Sequence, residues 1–244
     1  MKIIAYPASH AAPKTRRRRR RNFRPLIVLL LILFIFAGIG VGIGRVLHRA
    51  GDKEPGYEMT EIRGLPIYRH FLEKEAVGRI GGTREVQYIV IHETDNFAAG
   101  ANAARHDAFI HQNAMQEKLS WHYTIDDHEG YQHIPDTEPA YHAGDGMQPN
   151  GGNTNGIGIE LCVAEDNDYE QTLKNGAILA GYLLYQYDLG MDALKKHQDF
   201  SGKICPARLI EENRWEEFCN MVQDNYTYFK ENGTNVQFVP FSLK

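Results

Sequence analysis

Between Leu26 and Gly44 the chain runs for 19 residues without a charged or strongly polar side chain. At about 1.5 Å per residue, a helix of that length crosses most of a hydrocarbon core roughly 30 Å thick. The run also divides the charge. Residues 1–50 hold 11 of the 27 Lys and Arg and none of the 31 Asp and Glu, leaving 16 cations against 31 carboxylates, a balance of −15, in the remainder. Arg16 to Arg21 and Arg24 precede the run, and only Arg45 and Arg49 follow it closely. The positive-inside bias therefore predicts a basic cytoplasmic segment over 1–25, one transmembrane anchor over 26–44, and an outward-facing body. Two rivals compete for the head. A nuclear-targeting or nucleic-acid patch is disfavoured by the adjacent span. A cleaved signal peptide finds small residues at Ala37, Gly38 and Gly40, but the run is longer than a usual signal core. The Gly38/Gly42 and Gly40/Gly44 spacings suit close helix packing, which makes a weak dimer through the span one expectation. So acidic a body lacks the basic face that phosphate contacts require, which argues against nucleic acid as a partner.

Residues 45–63 are polar and breaker-rich and read as a spacer. Residues 64–244 suffice for one core. Cys162, Cys205 and Cys219 are an odd number, so an outward-facing chain cannot pair them all internally. The body alternates strand and helix signals. Gln87 to Ile91, Trp121 to Ile125 and Ile157 to Val163 are short β-rich runs. The alanine-rich stretch over 102–118 suits a helix, as does Tyr169 to Leu189, with Gly190 as its stop. After Cys205, Pro206 fits a first helical position, and Trp215, Phe218, Val222 and Tyr226 trace one amphipathic stripe. The fold class expected is α/β, a mixed sheet with helices packed on it.

The chemistry gathers where strands end. His92 follows four apolar residues, at the mouth of a buried strand where a side chain can leave the core. His197 and Cys205 stand seven residues of loop-like sequence apart. Zinc takes such nitrogen and sulfur ligands, and a hydrolytic site keeps three of them with a fourth position open; His92, His197 and Cys205 supply that number. A thiolate held by metal also explains how an odd cysteine persists outside the cell. Glu160 interrupts an apolar strand in which Ile157, Ile159, Leu161 and Val163 share one face. Period-two geometry puts it on the other face with Gly158 and Cys162, and Gly158 leaves room for something to approach. On the residues alone, simple solvation explains that carboxylate equally well. Lys203, two residues before Cys205, is near enough to reach over such a site. His122 and His142 are open to two readings, substrate contact or hydrogen-bond support.

Five blocks occur in a particular order: Tyr88-Ile-Val-Ile-His-Glu-Thr, Ser120-Trp-His-Tyr-Thr-Ile-Asp-Asp, Tyr141-His-Ala-Gly-Asp-Gly, Asn155-Gly-Ile-Gly-Ile-Glu-Leu-Cys, and His197 through Arg208. In this the chain resembles the zinc-dependent N-acetylmuramoyl-L-alanine amidases, the type 2 family that also contains the peptidoglycan recognition proteins, and within it the phage and bacillus autolysin branch. The resemblance covers residues 87–208. It implies a mixed sheet flanked by helices, Zn²⁺ on His92, His197 and Cys205, Glu160 as the group that takes a proton from water, Lys203 as an oxyanion partner, and peptidoglycan as substrate. Where some relatives carry a catalytic tyrosine this chain has Trp121, so the general base rests on Glu160. The implied activity is hydrolysis of the amide between N-acetylmuramic acid and L-alanine by a membrane-anchored, extracellular domain. The alternative is a peptidoglycan-binding receptor without catalysis. A metalloprotease is disfavoured, because no His-Glu-x-x-His helix is present.

Overall fold

The computed structural model describes residues 57–241. The basic segment, the apolar span and most of the spacer lie outside the described residues, among which no helix is long and apolar enough to cross a membrane. The spacer expected over 45–63 gives way earlier than its composition suggests. Tyr57–Ile62 (β1) turns through Arg63 and Gly64, both at positive φ, into Leu65–Arg69 (β2), so the ordered sheet begins before residue 64.

The next strands are Tyr88–Glu93 (β3), Tyr123–Ile125 (β4), Gly130–Gln132 (β5), Gly156–Leu161 (β6), Leu194–Lys196 (β7) and Val239–Phe241 (β8). They complete one eight-stranded sheet in the order β7-β3-β6-β4-β5-β2-β1-β8. Strands β7, β3, β6 and β4 run parallel, while β4–β5, β2–β1 and β1–β8 are antiparallel. Interior parallel strands read as near-continuous apolar runs because both faces are covered. That is why β3 and β6 stand out in the sequence, while of the three-residue strands only β4, within the expected Trp121 to Ile125, does.

Ile89 and Ile91 of β3 and Ile157, Ile159 and Leu161 of β6 are wholly buried in the main core, each worth about 1.5–3 kcal/mol of burial. Helix Tyr169–Gln186 (α3) covers this face. Asp168 caps it by accepting from Gln171 N, and it stops before Asp188, whose φ of 51° ends the helix ahead of the expected Gly190. The stripe Trp215, Phe218, Val222 and Tyr226 lies on one helix, and a separate short helix precedes it after Pro206. Ala207–Glu211 (α5), with Pro206 as its cap residue, is separated from Trp215–Asn232 (α6) by Asn213 at φ 57°. Helices α3 and α6 approach closely at Gly181, where a Cβ would lie 2.7 Å from the Asn225 Cβ and 2.8 Å from Tyr226 N.

The opposite face carries Val90 and His92 of β3 and Gly158 and Glu160 of β6, with Cys162 just beyond the strand, as period-two geometry requires. Register sets His92 beside Glu160, and Glu160 beside Thr124 of β4. Helix Ala103–Asn113 (α1), capped by Asn102, runs shorter than the expected 102–118. Two single-turn helices, Gly152–Asn155 (α2) and Gln198–Ser201 (α4), and a 3-10 turn at Met191–Ala193 complete the described fold.

Candidate metal and catalytic centre

His92 is the fifth residue of β3, and His197 directly follows β7, the parallel neighbour of β3. Adjacent parallel strands thus deliver two imidazoles to the same sheet end. Cys205 arrives on the loop between α4 and α5. The His92 Nδ1 and His197 Nδ1 atoms lie 3.0 Å apart, and Cys205 Sγ lies 3.9 Å from His92 Nδ1. All three side chains are buried, with ligand atoms within 4.8 Å of one another.

Hydrogen bonding fixes which nitrogens face inward. His142 Nε2 lies 3.2 Å from the Gly156 carbonyl, which can only accept, so His142 holds its proton there. Its Nδ1 then accepts from His92 Nε2–H at 3.0 Å, leaving His92 Nδ1 as a bare lone pair. The Ala143 carbonyl accepts from the His197 ring, which leaves a lone pair there too. Two lone pairs 3.0 Å apart beside a thiol repel unless a cation lies between them. Bonds of about 2.0–2.3 Å to one ion span such separations. Burial, then the positive charges His142, His197 and Lys203 would carry, hold the His92 pKa well below the usual histidine range, the neutral form a ligand needs. Burial, then the Glu160 charge, push the Cys205 thiol up to about 12.

Glu160 Oε1 lies 3.9 Å from His92 Nδ1, and its buried Oε2 has no hydrogen-bond partner. Burial pushes the Glu160 carboxyl up to about 8, against the pull of Lys203 and with a further push from Glu93 and Asp95. Lys203 is exposed, and its charge also depresses His92 and His197. A cavity of about 410 Å³ opens beside Glu160, with Trp121 and Leu119 from the segment before β4 and Phe109 from α1 in its walls. Trp121 Nε1 donates to Thr124 Oγ1 at 2.7 Å.

The two histidines with open roles separate here. His142 is partly exposed and orients His92. Its ring rests on Gly158, where a Cβ would lie 2.8 Å from it; the room that Gly158 leaves is filled by this imidazole. His122 is fully buried. Its Nδ1 accepts from Gly158 N at 3.0 Å and its Nε2 donates to Glu138 O at 2.9 Å. Direct substrate contact is therefore closed to His122, which instead fixes the β6 backbone behind the centre.

Sequence reasoning passed over two supports. Glu93, next to His92, accepts from the Tyr169 hydroxyl and from the backbone N–H groups of Arg208 and Leu209 at the start of α5. It thereby ties the segment carrying Cys205 to the strand carrying His92. Asn153 Oδ1 accepts from His142 N at 2.7 Å and Ala143 N at 2.6 Å, setting the loop that holds the two imidazoles. Glu93 in a strand-end His-Glu-Thr and Asn153 in a Gly/Asn-rich loop carry no local signal of these distant partners.

A second histidine group lies between β2, α1 and the segment after β5. His70 Nδ1 is 2.9 Å from Asp107 Oδ2, while His133 Nδ1 and His111 Nε2 lie 3.3 and 3.6 Å from Asp107 Oδ1. The His70 and His111 rings stack with centroids 3.6 Å apart at 13°. Burial pushes the Asp107 carboxyl up, but hydrogen bonds from His133 and His70 outweigh it and hold the group well below the usual carboxylate range. Burial, then the positive charge of His70, lower His111 to about 4.

Residues 82–208, about half of the chain, match the Amidase_2 family, described as N-acetylmuramoyl-L-alanine amidase. The N-acetylmuramoyl-L-alanine amidase CwlH of Bacillus subtilis (strain 168) is 36% identical over 167 residues, 68% of this chain and 65% of the relative. The amidase XlyA of the same organism is 37% identical over 153 residues, 62% of this chain and 49% of the relative. This chain therefore spans between about half and two thirds of the length of these curated relatives. The solved catalytic domain of XlyA superposes with a TM-score of 0.60 at 35% identity, over 64% of this chain and 98% of that domain. With half of its length matched to that family and its sheet superposing on a solved amidase domain, the chain belongs to the Amidase_2 family of N-acetylmuramoyl-L-alanine amidases.

Proposed function

We propose that this protein hydrolyses the amide between the lactyl group of N-acetylmuramic acid and the L-alanine of the peptidoglycan stem peptide, with His92, His197 and Cys205 holding zinc and Glu160 handling the proton. The observation that carries this reading is the placement of Glu160, a buried carboxylate oxygen without a partner, beside the imidazole lone pairs and at the cavity. When bound, zinc supplies a Lewis acid that acidifies water to a pKa of about 7 and polarises a carbonyl oxygen. Glu160 Oε2 accepts a proton from the attacking water and returns it to the leaving amine of L-alanine. The Lys203 ammonium stabilises negative charge developing on the carbonyl oxygen. His142 and Asn153 keep the His92 ring at its angle, and Trp121 and Leu119 line the cavity beside the reacting groups. In the same reading, residues 26–44 anchor the chain in the cell membrane with the domain outside, within reach of the wall. The apolar run and the arginine bias of the sequence support that placement.

Incubating the full-length protein with purified sacculi, with and without a chelator, and weighing the products by mass spectrometry tests the assignment. Stem peptides with a new N-terminal alanine, released only without chelator, are expected. Intact sacculi from a zinc-loaded protein would support the receptor reading instead, and cuts within the stem would reject the bond.

A further inference from the structure

Among the described residues there are seven arginines, and six place the guanidinium on a partner: Arg63 on Asn225, Arg69 on Glu58, Arg79 on Glu138, Arg84 on the Asn155 and Gly156 carbonyls, Arg208 on Glu212, and Arg214 on Glu170. Arg105 is the exception. Only its backbone N–H is engaged, at the α1 cap, and its side chain is exposed in the wall of the 410 Å³ cavity that also contains Glu160. One helical turn further on, Phe109 lines the same cavity and is 47% exposed. Residues at this spacing share one helix face, so α1 presents a cation and an aromatic ring together. Leu119, Trp121 and Asn96 supply further walls. In a body of net charge −15, an arginine without a carboxylate beside the proposed reacting group is not the surface average.

We propose that this cavity is the subsite for the peptide half of the substrate, with Arg105 binding a carboxylate of the stem peptide and Phe109, Leu119 and Trp121 packing against its alanyl portion. The inference rests on the amidase reading above and adds the charge preference. The glycan half of that substrate is uncharged once its lactyl carboxyl is tied up in the amide. The peptide half bears free carboxylates, and a guanidinium pairs with a carboxylate through two parallel hydrogen bonds. The volume falls within the usual range for small-ligand sites, about 300–1,000 Å³.

The test uses full-length protein in detergent and two synthetic muramoyl peptides that differ only in whether the second stem residue carries a free carboxylate or a carboxamide. Turnover and, separately, binding of the two corresponding free peptides are measured for wild type, Arg105→Gln and Arg105→Lys. Arg105 is an exposed helix residue, so the variants keep the fold. Arg105→Gln is expected to raise KM for the carboxylate substrate about 5–20-fold, the range of a partly exposed charge-assisted pair, with kcat unchanged. On the carboxamide substrate it is expected to change KM less than about 2-fold, with Arg105→Lys in between. Equal loss on both substrates, or loss on neither, overturns the subsite while leaving the amidase reading intact. Charge-dependent peptide binding that needs Arg105, without turnover by wild type, would support the subsite and overturn the amidase reading. Absence of both turnover and binding overturns both.

Discussion

Two histidine groups sit in this domain and differ in what occupies their middle. At Asp107, the imidazoles of His70, His111 and His133 surround a carboxylate that answers them. At His92, two imidazole lone pairs and a thiol converge with no carboxylate between them, and the nearest one, Glu160, stands aside at 3.9 Å with an oxygen unpartnered. The first group has a carboxylate in its middle and two of its rings lie face to face, although the ligand atoms of His70, Asp107 and His111 also come within 4.8 Å of one another. The second is complete only when a cation is added. Counting histidines would not separate them; following each proton does.

The comparison breaks if the two groups respond alike. The largest difference is expected in turnover: Glu160→Gln should lower kcat by about 10²–10⁴-fold, the usual worth of a general base, with metal content by elemental analysis unchanged. Asp107→Asn should leave kcat nearly intact and instead cost stability. Removing the charged acceptor of these buried hydrogen bonds costs about 1.5–3 kcal/mol; denaturant melts measure it. His111 extends this into a pH dependence. Its folded pKa of about 4 lies below the unfolded value, near 6.5, so the unfolded chain binds more protons in between. That stability is present above pH 6.5 and lost as the pH falls toward 4. Asp107, depressed as well, gives up its share at still lower pH. Thermal melts of wild type and His111→Gln from pH 7 to 4 should converge toward the acid end.

Metal removal acts on the other group. Zinc at 100 times its Kd should stabilise the wild-type fold by about 2.7 kcal/mol, a gain that Cys205→Ser forfeits and His111→Gln keeps. The smallest effect is expected at Gly158→Ala, whose Cβ would displace the His142 ring. Loss of such an orienting partner lowers metal affinity by about 10–100-fold, read by competition with a chromophoric chelator.

Legibility in the sequence followed burial and spacing. Strands β3 and β6 announced themselves as apolar runs, and α3 by its periodicity. His92, His197 and Cys205 could be named from strand-end position and ligand chemistry, although only the fold brings them together. The β1–β2 hairpin was hidden by the polar spacer, since Tyr57 to Arg69 mixes charged and apolar residues with little alternation. The short helix before the break at Asn213 carries no stripe of its own, since Trp215, Phe218, Val222 and Tyr226 all lie after it. Pairings such as Glu93 with the α5 backbone, or His142 with His92, join residues 115 and 50 positions apart. No local pattern encodes such distances, and for His122 the choice between contact and support turned wholly on burial.

The link through Glu93 also bears on timing. A chain is made from its N-terminus, and Cys205 follows His92 by 113 residues, so the nascent domain has its first ligand long before its last. Until residues 205–209 emerge and the Arg208 and Leu209 amides settle on the Glu93 carboxylate, the Cys205 thiol has no fixed place beside His92. In the proposed reading, the cluster is therefore completed only when α5 is seated on β3.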